Sequence, residues 1–198
     1  MSAEALAHRA VVLIPLKGFG VAKERLAPVL DADTRARLAR QMADIVVDAA
    51  APLPVAIVTD DAEVARWADS RRARLLWRPS RGLNDAVQSS VSRLAVEGVD
   101  RIVVAHGDLP RARGLADIAD FDGITLVPDR HEDGTNVLCI PASSAFRFAY
   151  GPGSFGLHCA EAARIGLPTR IQRDAALGWD IDHPDDLDGL ASFTIAEY

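Results

Sequence analysis

At 198 residues, 49% of them hydrophobic and 25% charged, the chain is long enough for one substantial core and has a surface suited to water. Its net charge of −6 excludes the basic field that nucleic acid or an anionic membrane would require, so an anionic ligand must meet locally gathered cations. Two cysteines, Cys139 and Cys159, are too few for a disulfide framework and too isolated for a zinc site, which points to a reducing cytoplasm.

The first nine residues and the last few read as loose ends around a single domain with an ordered core of about 10–192. AVVLIP (10–15) reads as a buried strand, and Lys17 cuts the apolar run well short of a signal-peptide core or a membrane span. LKGFGVAKER (16–25) begins as a dinucleotide-binding turn and then departs from it. After Gly18 and Gly20, the third glycine position of G-x-G-x-x-G holds Lys23, and Arg25 follows. Lys17, Lys23 and Arg25 thus set three cations beside two glycines just after a strand, a pattern suited to phosphate rather than to a dinucleotide. Single loop cations are usually just solvated; the clustering favours phosphate contact.

DADTRARLARQMADIVVDAA reads as a crossover helix, with Leu38, Met42, Ile45, Val46 and Ala49 at helical spacing behind an Asp or Thr cap. Strand PVAIVT (54–59) is followed by Asp60 and Asp61, then helix DDAEVARWADS, strand ARLLW (73–77), helix LNDAVQSSVSRLAVEG and strand RIVVAH (101–106). Residues 10–106 therefore form a βαβαβαβ series, which implies a doubly wound α/β fold with a mostly parallel sheet covered on both faces. Ligands of such sheets bind at the carboxyl ends of the strands.

Beyond Pro110 the alternation loosens. GITLVP (123–128) reads as a strand, NVLCIP (136–141) as an antiparallel strand at an edge, and SFGLHCAEAARIG as a helix capped by Ser154 and stopped by Gly166. Free backbone N–H groups at that helix start, behind a Gly-Pro-Gly turn, suit an anion, although the same residues also make a plain N-cap. In GWDIDHPDDL, Asp180 and Asp182 share one face of an extended segment, opposite Trp179 and Ile181, and the PDDLDGL that follows suits a helix start. Like charges held that close are relieved by a divalent cation, and oxygen ligands suit Mg²⁺ or Mn²⁺. The alternative is an exposed acidic loop. Asp108, in the GDLP turn after a strand, adds a third carboxylate, and such a cradle suits nucleotidyl or phosphoryl transfer. His106 and His183 read as structural.

PLKGFGVAKERLAPVL, RGLNDAV, HGDLP, DGTNVLCIP, YGPGSFGLHCAEA and WDIDHPDDL occur in the order seen in a known family. From about Val11 to Leu190, the chain resembles the CofC/FbiD-type guanylyltransferases of coenzyme F420 biosynthesis. The resemblance implies a single-domain α/β nucleotidyltransferase, Rossmann-like and related to GT-A sugar-nucleotide enzymes. It implies transfer of GMP from GTP to phosphoenolpyruvate, 2-phospho-L-lactate or 3-phospho-D-glycerate, with release of pyrophosphate. By motif, Asp108, Asp180 and Asp182 resemble the metal-binding aspartates. Thr135, Asn136, Gly151, Gly153 and Ser154 resemble the acceptor-phosphate site. Leu16, Lys17, Gly18, Lys23 and Arg25, with Gly82, Leu83, Asn84 and Asp85 of RGLNDAV, resemble the nucleotide-contacting segments. Lys17, Lys23 and Asp108 are the expected catalytic groups, with Mg²⁺ or Mn²⁺ as cofactor. The expected partners are GTP and a small phosphorylated acid, a second copy in a homodimer, and a following enzyme that takes up a labile product. A GT-A glycosyltransferase and a nucleotide-binding regulatory module are the rival readings; a cradle of three acids argues against mere binding, and Lys23 argues against a dinucleotide oxidoreductase.

Overall fold

Through residue 106, the continuous apolar runs form strands and the amphipathic stretches between them form helices, in the expected order. The computed structural model describes residues 9–79 and 82–190. Of the expected loose ends, residues 1–8 and the last few lie outside them, as do the last two residues of the expected core and the first residue of RGLNDAV. Arg9, expected in the loose end, is instead tied down by donating to the Gly98 carbonyl at 2.9 Å and pairing with Asp100 at 2.9 Å. The strands are β1 (Ala10–Pro15), β2 (Val55–Thr59), β3 (Arg74–Trp77), β4 (Arg101–Ala105), β5 (Ile124–Pro128), β6 (Thr135–Pro141) and β7 (Thr169–Ile171). The α-helices are α1 (Ala32–Ala49), α2 (Ala62–Ser70), α3 (Leu83–Val96) and α4 (Ser154–Ile165).

Among the described residues all seven strands belong to one sheet, in the order β3-β2-β1-β4-β6-β5-β7. The pairs β2/β3, β1/β2, β1/β4 and β5/β7 are parallel, and β6 is antiparallel to both of its neighbours. Two expectations change here. The antiparallel strand is central rather than at an edge, because both of its faces are covered: Val137 and Cys139 enter one core, Leu138 and Ile140 the other. The edge position belongs to β7, three residues of which the outer two are exposed, so the sequence had no apolar run to show.

The same alternation runs through β1. Ala10, Val12 and Ile14 pack with α1 and α2 on one face, while Leu13 packs with α3 and α4 on the other. Asp31 caps α1 by accepting the Thr34 N–H at 2.7 Å, and the helix buries Leu38, Ala39, Met42, Ala43 and Val46. Each large side chain buried this way stabilises the fold by roughly 1.5–3 kcal/mol. Ile45 and Ala49, expected on the same stripe, are only partly buried. Among the described residues no helix is long and apolar enough to cross a membrane.

Candidate active site

Because β6 runs against its neighbours, its amino end lies at the same edge as the carboxyl ends of β1, β2, β4 and β5; the His106 N–H donates to the Asn136 carbonyl there at 3.0 Å. This edge opens on a cleft of about 750 Å³. Its walls bring together Leu16, Lys17, Lys23 and Arg25 of the first loop, Gly82 and Leu83 at the start of α3, and Asp108 after β4. Thr135, Asn136, Gly151, Ser154, Asp180 and Asp182 complete it from the second half of the chain.

The first loop is two short 3₁₀ turns, Phe19–Val21 and Glu24–Leu26, hinged at Lys23. Lys23 has left-handed backbone, φ 56°, which a non-glycine residue keeps only when its surroundings hold it. Two carboxylates do so. Its Nζ lies 2.6 Å from Asp108 Oδ2 and 3.0 Å from Asp182 Oδ1, and the side chain is only 9% exposed. Burial alone would lower the ammonium pKa, but Asp108 and Asp182 outweigh it and hold Lys23 above the usual lysine range. Asp108 is likewise pulled two ways: burial would raise it, while Lys23, His106 and its hydrogen bonds keep it below the usual carboxylate range. Arg25 reaches Asp182 at 3.6 Å from an exposed position, and Lys17 stands exposed at the rim.

Asp180 and Asp182 face the cleft, while Trp179 and Ile181 pack with Leu26, Leu38 and Met42, so the expected alternation holds without a regular strand. A buried clamp fixes the segment. Asp186 accepts the Asp182 and His183 N–H groups through Oδ2, each at 2.7 Å, and its Oδ1 is bonded by Arg130. Arg130 also donates to the Asp180 carbonyl at 2.9 Å and lies over the Trp179 ring, 4.3 Å from its centroid.

Burial first, then the charges of Asp108 and Asp182, push the Asp180 carboxyl above the usual range. Asp108 Oδ1 is buried with no hydrogen-bond partner. A repelling group of hard oxygen donors with one oxygen unsatisfied fits a divalent cation. Even so, no group of three or more His, Cys, Asp or Glu side chains among the described residues stands in ligating geometry. The Lys23 ammonium is the positive charge between Asp108 and Asp182 in this arrangement.

On the other side of the cleft, Thr135 and Ser154 are 1% and 2% exposed and joined by a hydrogen bond from the Thr135 N–H to Ser154 Oγ at 3.1 Å. His158 Nε2 accepts the Ala149 N–H at 3.0 Å, which assigns the ring proton to Nδ1, and Nδ1 then donates to Thr135 Oγ1 at 3.0 Å. Both hydroxyls are therefore acceptors toward the protein, leaving their own protons to donate. Asn136 spends its amide on the Leu177 carbonyl at 3.1 Å and on Asp180 Oδ1 at 3.5 Å.

Two expectations about the helix start change. Gly153, with φ 71°, is the residue before α4, and Ser154 is inside it with no capping bond from its side chain. Nor are the first N–H groups free: Gly153 N–H donates to Asp133 Oδ2 at 3.1 Å, Ser154 N–H to the Gly151 carbonyl at 3.1 Å and Phe155 N–H to the Asp133 carbonyl at 3.0 Å. A carboxylate from the preceding loop already sits at the positive end of the helix.

Gly18 and Gly20 do not line the cleft. A Cβ at Gly18 would come 2.6 Å from Asp61 Oδ2, so this glycine answers to Asp61, whose Oδ1 caps α2 through the Glu63 and Val64 N–H groups. Asn84 and Asp85 do not line it either; Asp85 is exposed on the first turn of α3 and Asn84 is bound to the backbone of Tyr150.

A family profile, Guanylyl transferase CofC like, matches residues 10–193. The chain belongs to the CofC family. A phosphoenolpyruvate guanylyltransferase of Sphaerobacter thermophilus is 34% identical over 91% of this chain and 92% of its own. One of Rubrobacter xylanophilus is 32% identical over 94% and 95%. Among solved structures, a protein of Desulfovibrio desulfuricans G20 shares the fold at TM-score 0.76 and 17% identity, over 92% of this chain and 86% of that one. A nucleotidyl transferase of Methanothermobacter thermautotrophicus shares it at TM-score 0.65 and 16% identity, over 93% and 96%.

Several groups in this CofC-family cleft escaped sequence reasoning. Arg78 follows β3 and lines the cleft with a buried Nε that has no partner, and Asp129 and Asp133 line it beside Thr135. Asp129 shapes the turn before β6 by accepting the His131, Asp133 and Gly134 N–H groups. The signal was present for Asp129, since an Asp shortly before a Gly is a common turn former. For Arg78 there was none.

Proposed function

We propose that this chain transfers the guanylyl group of GTP to the phosphate of a three-carbon acid, phosphoenolpyruvate first, with 2-phospho-L-lactate and then 3-phospho-D-glycerate as alternatives, in coenzyme F420 biosynthesis. The names of its relatives support the reaction and the first acceptor. One observation carries the reading. A carboxylate and lysine centre, Asp108, Asp180, Asp182 and Lys23, shares one cleft with two hydroxyls, Thr135 and Ser154, that have protons left to donate.

In this reading an oxygen of the acceptor phosphate attacks the α-phosphorus of GTP, a new P–O–P link forms, the α–β anhydride bond breaks and pyrophosphate leaves. The acceptor is already ionised, so the chain needs neither a nucleophile nor a general base. Accordingly, burial pushes both cysteine thiols up, and His158 is held neutral. Thr135 and Ser154 bind the acceptor phosphate, and Gly151 shapes the lip of its pocket, while Gly153, which does not line the cleft, makes the turn into α4. Lys17, Lys23 and Arg25 face the triphosphate, and Lys23 stays charged because its pKa is raised. Asp108, Asp180 and Asp182 would hold Mg²⁺ or Mn²⁺, which when bound offsets charge on the α-phosphate and the leaving group. The anhydride product suits direct uptake by the next enzyme.

Purified protein with GTP, Mg²⁺ and each acid in turn tests this. We expect pyrophosphate and a product whose mass is that of acid plus GMP less water. Release of UDP from a UDP-sugar, with no pyrophosphate from GTP, would move the chain to the glycosyltransferases.

A further inference from the structure

Residues 146–150 run between α3 and α4 yet belong to no strand. Their backbone groups are satisfied by helix side chains instead. From α3, Gln88 donates to the Phe146 carbonyl at 3.1 Å and accepts the Phe148 N–H at 3.3 Å. One turn earlier, Asn84 accepts the Tyr150 N–H at 2.7 Å and donates to the Tyr150 carbonyl at 3.1 Å. From α4, Glu161 accepts the Arg147 N–H at 2.9 Å and His158 the Ala149 N–H at 3.0 Å. Alternate residues thus turn to opposite helices, and Phe146, Phe148 and Tyr150 are all buried. The next residues are Gly151, φ 135°, and Gly153, φ 71°, and then Ser154.

We propose that Asn84 and Gln88 are positioning residues for the acceptor, not contacts of the nucleotide. Asn84 uses both ends of its amide on Tyr150, directly before the turn that carries Ser154, so this pair sets how far that turn stands from Thr135. The proposal rests on the reading that Thr135 and Ser154 hold the acceptor phosphate. It reassigns the Asn of RGLNDAV, while the neighbouring Gly82 and Leu83 keep their place in the cleft wall.

The test is steady-state kinetics of Asn84→Ala, Asn84→Asp and Gln88→Leu, with KM measured for acid and for GTP separately and thermal melts recorded. Loss of the paired bonds to Tyr150 is expected to raise the acid KM about 10-fold in Asn84→Ala, with the GTP KM within about 2-fold. Asn84→Asp keeps the acceptor for the Tyr150 N–H and should lose less. Gln88→Leu should shift the acid KM in the same direction by less, and it decides the matter if Asn84→Ala does not fold. A rise in the GTP KM with the acid KM unchanged overturns the proposal. Thr135→Val separates the two readings. If it raises the acid KM while Asn84→Ala and Gln88→Leu do not, the acceptor site stands and the positioning role falls; if it leaves the acid KM unchanged, the acceptor site itself is misplaced and both fall.

Discussion

Lys23 holds left-handed backbone with its ammonium between Asp108 and Asp182. The conformation costs about 1–3 kcal/mol and persists because the ion pairs to Asp108 and Asp182 fix the residue. Removing the lysine leaves two carboxylates facing each other and, on the proposed reading, deprives the triphosphate of a cation. Lys23→Ala should therefore lower kcat/KM by at least about 100-fold in a pyrophosphate-release assay. Unchanged turnover would make the loop structural. Asp108→Asn and Asp182→Asn should fall as far even at saturating Mg²⁺; near wild-type rates in either would remove the carboxylate centre from the mechanism. At this scale the sequence was informative where chemistry is intrinsic to the residue: Lys23, Asp108, Asp180 and Asp182 were singled out by charge and spacing, and they meet. It was uninformative where the role is set by a distant partner. An asparagine amide offers the same groups to a guanine edge as to a peptide, and nothing local in RGLNDAV reveals Tyr150 as its partner, 66 residues later.

A helix start explains one of the departures at the next scale up. Gly18 reads as a glycine for phosphate approach, but the close neighbour is the Asp61 carboxylate that caps α2. Gly18→Ala should displace that cap, and Asp61→Ala should remove it, each costing about 1 kcal/mol. Because both act on one cap, the double variant should lose less than the two losses added, measured by denaturant unfolding. Full additivity would separate the glycine from the cap. In α4, burial lowers the His158 pKa to about 4 from 6.5, so between those values the unfolded chain binds the extra proton. Stability should fall as pH drops through that window, by on the order of 3 kcal/mol in total. His158→Gln should flatten this slope in thermal melts recorded from pH 7 to pH 4. The central place of β6 was latent in NVLCIP: a run apolar on both parities belongs inside a sheet, not at its edge.

For the molecule as a whole, a net charge of −6 is compatible with two anionic substrates only because the cations are local. Lys17, Lys23, Arg25 and Arg78 all line one cleft, at the edge where β1 and β4 run side by side and the chain reverses its order through the sheet. The α/β class, the parallel half of the sheet and the site at the strand ends followed from periodicity. In the second half β5, the antiparallel β6 and α4 were legible as well, but β7 and the interior place of β6 were not, because they depart from βαβ alternation; that half carries Thr135, Ser154 and the Asp133 contact at the start of α4. The most direct test of guanylyl transfer follows label from GTP carrying it at either the α- or the γ-phosphorus, with phosphoenolpyruvate as acceptor. The α label should appear in the acid product and the γ label in pyrophosphate. A γ label on the acid, or no transfer of the α label to any of the three acids, would contradict the account.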